Sequence, residues 1–313
     1  MKPKVAVLGA GAMGCLFGGE LAERGLEVTL IDVWQEHVDA INRDGLRVVG
    51  HRGDRRIGVS ATTDPAACGP VDVVLVHCKA ASTVAAVSAA RDAGLFDGDT
   101  VSISFQNGLG NEETIAGVIG AGRVLGGVTA QGASIEGPGC IHSYADLPSQ
   151  IGEMSGGVSD RVRAIADAFS KHGLETVASA DIRHDIWKKL MVNVGVSAMS
   201  GITNLTIGEA VAIPELKAMC YGAVAEAVPV ARADGVGLTP AESRNVLDLV
   251  IGPGGTGNNR SSLCVDILNH RPTEVDVING AVVSRGTRHG IETPINANLV
   301  ALVKGIESHY LPR

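Results

Sequence analysis

The chain has 313 residues, 45% of them hydrophobic, enough for a well-buried core and, by the usual size of domains, for two of them. Aromatics make up only 3%, so that core is expected to be aliphatic and alanine-rich. A formal charge of -8 with no cluster of Lys and Arg excludes a nucleic-acid surface, which needs grouped cations against phosphates, and points to a small-molecule partner.

The opening MKPKVAVLGAGAMG is broken by glycines before an apolar run develops, so no signal peptide is expected. The pattern then alternates short β-branched runs with helical segments, the arrangement of βαβ units and a parallel sheet. Strands are predicted at Lys4 to Leu8 and Glu27 to Asp32, with helices over Ala12 to Arg24 and Glu36 to Arg43. LRVVG and IGVSATT read as an edge hairpin or a crossover extension. VDVVLVH (71–77) and TVSISF (100–105) are continuous apolar strands of the kind buried on both faces. From Arg123 to Gly152 the segments become Gly-rich and β-like, which suggests antiparallel additions to the sheet. A helix over Val158 to His172 and a short strand at Glu175 to Ala178 complete a first domain, residues 1–180.

From Asp181 onward strand signals vanish and helical periods predict an all-α second domain, residues 181–313. Helices are expected at 183–202, 206–234, 239–251, 261–269 and 273–287, with one more after Pro294. GPGGTGNN (252–259) reads as a flexible loop. The six cysteines, Cys15, Cys68, Cys78, Cys140, Cys220 and Cys264, lack metal-ligand or framework spacing. They are read as reduced thiols of a cytoplasmic protein, with no metal site. No run of about 18 apolar residues is present to span a membrane.

VAVLGAGAMG places Gly9, Gly11 and Gly14 at GxGxxG spacing between a strand and a helix. Gly9 permits the tight turn, Gly11 a close approach to a pyrophosphate, and Gly14 close helix–sheet packing, with Ala10, Ala12 and Met13 completing the loop. The helix N-terminus offers N–H groups to the phosphates. Asp32 ends the second strand 18 residues after Gly14, where a carboxylate accepts from ribose hydroxyls and repels a 2′-phosphate, favouring NAD over NADP. A glycine-rich turn without ligand and a solvated strand-end charge are the plainer readings of these features. Lys79 and Asn107 follow the strands VVLVH and VSISF, at the strand ends where open α/β sheets bind ligands. Each alone would more often be a turn residue.

These motifs, GAGAMG, VHCKAAST, SFQNGLG, WKKLMVNVGVSAMSG, SSLCVDILNHRPTEVDVINGAVV and HGIETPIN, together span nearly the whole chain. On them the chain resembles the ketopantoate reductase family. The resemblance implies a Rossmann-type domain followed by a helical domain, with the active site in the interdomain cleft. It also implies reduction of 2-dehydropantoate to (R)-pantoate, usually with NADPH. The family's catalytic lysine falls on Lys189 and its neighbouring asparagine on Asn193. The substrate-binding serine falls on Ser262, the carboxylate of the T-E-x-D motif on Glu274, and the strand-end cofactor and substrate positions on Lys79 and Asn107. Two positions depart from the family pattern: Ser197 stands where many members carry a second asparagine, and Asp32 where NADPH-using members tend to carry a basic residue.

In the implied reaction hydride reaches the carbonyl carbon of a 2-oxo acid and a nearby ammonium protonates the nascent alkoxide, the role that falls to Lys189. At 100° per residue Lys189 shares a helical stripe with Asn193, Ser197 and Ser200, whereas Lys188 aligns with Asp185 and Val192 on a rim. Glu274 is the electrostatic partner of the lysine or the acceptor for a substrate hydroxyl. On sequence alone TEVD also reads as a helix start capped by Thr273, and Ser262 as a plain N-cap. Asp266, Asp276 and Arg271 read as helix-surface charges. An NAD-dependent dehydrogenase of another hydroxy acid, and a non-catalytic dinucleotide sensor, are the competing readings. The oligomeric state stays open, a homodimer among the options.

Overall fold

The apolar runs become strands buried on both faces, and alternate residues feed two separate cores. In the computed structural model, which describes residues 2–252, 255 and 257–311, Val5, Val7, Leu30, Val73, Leu75, Val101 and Ile103 join one aliphatic core, while Ala6, Leu8, Ile31, Val74 and Val76 join another on the opposite face. The chain divides into two compact units, Met1–Gln106 with Asn111–Ile182, and Asn107–Gly110 with Arg183–Arg313.

The first unit runs β1 (Val5–Leu8), α1 (Ala12–Glu23), β2 (Val28–Ile31), α2 (Gln35–Asp44), β3 (Leu46–Gly50), β4 (Arg55–Ile57), β5 (Ser60–Thr62), β6 (Val73–Val76), α3 (Thr83–Asp92), β7 (Val101–Ser104), α4 (Asn111–Ile119), β8 (Val124–Thr129), β9 (Ala133–Gly137), β10 (Cys140–Ser143), β11 (Ser149–Glu153), α5 (Asp160–Lys171) and β12 (Thr176–Ala178). The main sheet has eight strands in the order β12-β11-β8-β7-β6-β1-β2-β5. Six of them, β8 through β5 in that order, are mutually parallel, and β11 turns antiparallel against β8. A second sheet, β4-β3-β10-β9, packs Leu46, Val48, Ile57 and Ile141 into the core that also buries Leu16, Phe17 and Leu21 of α1.

One expectation for this unit needs correction. The Gly-rich stretch after Arg123 is not wholly antiparallel: β8 pairs parallel with β7 across the α4 crossover and antiparallel with β11, and β10 pairs antiparallel with β9 but parallel with β3. LRVVG and IGVSATT do both things foreseen, β3 and β4 forming a hairpin and β5 extending the main sheet beside β2.

The second unit continues with α6 (Ile182–Thr203, all but its first residue), α7 (Ile207–Ala212), α8 (Pro214–Ala233), α9 (Pro240–Ile251), α10 (Ser262–Leu268), α11 (Asn279–His289) and α12 (Pro294–Glu307). The single helix expected over 206–234 is two, because Pro214 forces Ile213 into extended backbone, φ -92° and ψ 114°. The helix expected from 273 begins only at Asn279. Residues 274–278 turn instead, with Glu274 O accepting from the N–H groups of Val277 and Ile278 at 3.2 and 3.1 Å. Of the expected Gly252–Asn259 loop, Pro253, Gly254 and Thr256 lie outside the described residues. Gly257 O and Asn259 O accept from Gly208 and Ile207 at the start of α7. No helix among the described residues is long and apolar enough to cross a membrane.

Candidate active site

In the first unit, β1 and β6 are neighbours reached by different connections, the switch point at which open α/β sheets leave a crevice past the strand ends. There β1 delivers the chain into Gly9, whose φ of +92° suits glycine alone, and a Cβ on it would stand 2.5 Å from Cys78 N. A Cβ on Gly14 would lie 2.0 Å from Gly9 O. Gly11 is the opposite case: a Cβ there meets nothing within 4 Å, and as N-cap of α1 it supplies no side chain to the first-turn N–H groups. An open cradle with uncapped donors fits the pyrophosphate of a dinucleotide. Ala10 is buried beneath this loop, and Ala12 and Met13 are half-buried at the start of α1, Met13 packing against the core.

Asp32 follows β2, half-buried, with Oδ1 accepting from Trp34 N–H at 3.0 Å, so the carboxylate is fixed in direction. Behind it sits a pair that sequence reading missed. His37, fully buried, accepts from Gly139 N–H through Nδ1 at 3.0 Å, which leaves the proton on Nε2, 3.3 Å from Cys15 Sγ; the thiol donates to Ala10 O at 3.1 Å. Burial pushes the His37 pKa down and the Cys15 pKa up, against or with the field of Asp32 respectively, so both groups stay neutral. Trp34 stacks on His37 with ring centroids 4.9 Å apart. The available signal was the position of Cys15, directly after the last glycine of the motif. Lys79 is exposed just past β6. Gln106, also missed, braces that turn by donating to Cys78 O at 2.7 Å and Thr83 Oγ1 at 2.8 Å.

In the second unit, Lys189, Asn107 and Glu274 come together. Lys189 on α6 is half-buried, and its Nζ donates to Asn107 Oδ1 at 3.0 Å. Enough protein surrounds the ammonium that burial pulls its pKa from 10.5 down to about 8, against the opposing attraction of the Glu274 carboxylate. Glu274 is itself buried, on the turn before α11. The 107–110 loop is seated on the same turn: Leu109 N–H donates to Val277 O at 2.8 Å, and a Cβ on Gly108 would stand 2.4 Å from that oxygen. An ammonium that titrates near neutrality, beside one amide and one carboxylate, is equipped to deliver a proton.

Along the same stripe of α6, Asn193 is half-buried one turn beyond Lys189, and Ser197 is buried. Lys188 stands elsewhere, near enough to Glu242 at the start of α9 to help hold that carboxyl low, after the dominant Thr239 hydrogen bonds. Ser262 is exposed as the first residue of α10, and the cap is Ser261: its hydroxyl accepts from Cys264 N–H at 3.1 Å and donates to Ser197 O at 3.0 Å. Thr273 likewise caps no helix, since α11 starts six residues later. Asp266, read as a surface charge, is buried, whereas Asp276 and Arg271 are exposed. Among the described residues no group of His, Cys, Asp and Glu could hold a metal ion, and none of the six cysteines is in a disulfide.

Residues 5–156 match the family described as ketopantoate reductase PanE/ApbA, and residues 181–307 match its C-terminal counterpart. The chain is 34% identical to the 2-dehydropantoate 2-reductase of Halobacterium salinarum over 96% of its own length and 98% of that protein. It is 36% identical to the enzyme of the same name from Pyrococcus abyssi, over 97% and 98%. Among solved structures, D-mandelate dehydrogenase with NADH and anilino(oxo)acetate superposes with a TM-score of 0.92 at 28% identity, covering 98% of this chain and 99% of that one. A PanE/ApbA family ketopantoate reductase from Ralstonia eutropha superposes with a TM-score of 0.89 at 31% identity, with the same coverage.

Proposed function

The chain belongs to the ketopantoate reductase family, whose members are NAD(P)-dependent oxidoreductases, and from that premise we propose that it reduces 2-dehydropantoate to (R)-pantoate with Lys189 as general acid. A reduced nicotinamide dinucleotide, which the glycine loop would hold, would supply the hydride. As the carbonyl carbon is reduced, the π pair moves onto oxygen, and the Lys189 ammonium stabilises the alkoxide and gives it a proton. Asn107 orients the ammonium through the 3.0 Å hydrogen bond, and Glu274 raises its pKa against the effect of burial. Asn193 and Ser197 continue the polar stripe and offer an amide and a hydroxyl to the substrate; Ser262 is proposed to reach the substrate carboxylate from α10. Gly9 through Gly14, Lys79 and Asp32 would hold the dinucleotide.

The observation that carries this reading is the lysine with its pKa near 8, bonded to Asn107 and facing Glu274, in a chain of this family. Steady-state turnover of 2-dehydropantoate with NADH and with NADPH tests it. Turnover with either supports the assignment; a protein that binds the dinucleotide and reduces no 2-dehydropantoate sinks it.

A second reading has its own support. Asp32, aimed by Trp34 N–H, opposes a 2′-phosphate, and the D-mandelate dehydrogenase that superposes so well was solved with NADH. On this reading the protein is an NAD-dependent dehydrogenase of another 2-hydroxy acid. Oxidation of D-mandelate with NAD, faster than reduction of 2-dehydropantoate with NADH or NADPH, decides for it.

A further inference from the structure

The three groups of the proposed acid site lie far apart in sequence, yet two hydrogen bonds made by none of them tie their segments into a ring. Leu109 N–H to Val277 O joins the Asn107 loop to the Glu274 turn. Asn279 Nδ2, at the start of α11 directly after that turn, donates to Val194 O at 3.1 Å and joins it to α6 one residue past Asn193. Lys189 Nζ to Asn107 Oδ1 closes the circuit.

Asn279 is fully buried, and its amide has a single workable orientation. Nδ2 serves Val194 O and, at 2.9 Å, Asn296 Oδ1; a flipped amide would set oxygen against both oxygens. Asn296, also fully buried, is fixed in turn by donating to Ala223 O at 3.0 Å and Glu226 Oε2 at 2.8 Å. The same arrangement leaves Asn279 Oδ1 buried with no partner. An unsatisfied buried acceptor costs stability, and a small apolar residue would avoid that cost if filling space were the whole task.

We propose that Asn279 is a positioning residue of this site, holding the Glu274 turn against α6 and so setting how strongly Glu274 acts on the Lys189 ammonium. The inference rests on the reading of Lys189 as the acid. Around that ammonium, Glu274 is the carboxylate from the turn and Asn107 the neutral amide from the loop. On α6 itself Asp185 lies one turn earlier and Lys188 acts on Glu242 of α9. Loosening the turn weakens the attraction of Glu274, so the Lys189 pKa falls.

The test reads that pKa without substrate: acylation of Lys189 by a small amine-reactive reagent, followed by peptide mass spectrometry across pH in the full-length protein. Asn279→Ala should move the labelling midpoint down by roughly half a pH unit or more, and shift the basic limb of kcat/KM with it. Asn279→Ser, a gentler truncation too short to span to Val194 O, should move it the same way and covers the case in which the alanine variant does not fold. Thr206→Ala, which breaks the capping box of α7, is the stability control and should lower Tm with the midpoint in place. Asn279 variants that lower Tm but keep the wild-type midpoint overturn the proposal. A wild-type midpoint at the ordinary lysine value of about 10.4 overturns the acid reading beneath it. A shifted midpoint in a protein inactive on 2-dehydropantoate supports the positioning role while rejecting only the substrate.

Discussion

The glycine turn after β1 and the lysine cluster on α6 are built from opposite materials. The first is contiguous and made of backbone: Gly9 and Gly14 are defined by the side chains they cannot carry, and Gly11 by the space it leaves open. The second is made of side chains from three stretches, with Asn107 and Lys189 82 residues apart. A backbone site is therefore indifferent to functional groups and intolerant of volume, and a side-chain site is the reverse. Substitutions should separate the two cleanly.

Lys189→Ala carries the largest expected effect. Turnover should fall by about 10²–10⁴, the usual worth of a positioned proton donor, while NADH binding measured by fluorescence titration stays within about twofold. Equal loss of both would dissolve the division. Gly14→Val should show the mirror pattern. With its Cβ forced onto Gly9 O, overpacking of about 1–3 kcal/mol should appear as a lower Tm and a dissociation constant for NADH raised about 10-fold or more, with kcat at saturating NADH largely kept.

pH sharpens the contrast further. If Lys189 is the acid, as proposed, reduction needs its ammonium, which is present below its pKa of about 8 and lost as pH rises through it, so kcat/KM for reduction should fall on the alkaline side. Oxidation of the hydroxy acid needs the neutral amine and should show the opposite limb. Glu274 raises the lysine pKa, so Glu274→Gln should move the limb to lower pH; an unmoved limb would separate Glu274 from the acid. The smallest effect belongs to Lys188→Ala. Lys188 acts on the partly exposed Glu242, and its removal should change kcat/KM by less than about twofold and Tm hardly at all.

The backbone site was the more legible of the two for a physical reason. A strand, a turn of fixed glycine spacing and a helix start are local signals within fourteen residues. The helical phase that sets Lys188 and Lys189 on different faces is local too. Pro214 was equally local, and it divides a helix that periodicity alone had joined. The Glu274 segment was different. TEVD looks like a helix start, but Val277 O accepts from Leu109 N–H and Asn279 reaches across to Val194 O, partners that no short-range pattern contains. The neutral His37–Cys15 pair under Asp32 is likewise held by Gly139, 102 residues from His37.

Sequence by itself determined the α/β first half, the helical second half, the glycine turn after the first strand and the family, because each rests on periodicity, glycine geometry or contiguous motifs. Only the tertiary structure decided that α6, the 107–110 loop and the 274–278 turn meet, and that burial lowers the Lys189 pKa while Glu274 raises it. Burial and field are properties of what surrounds a group in space, and residues distant in the chain supply that surrounding.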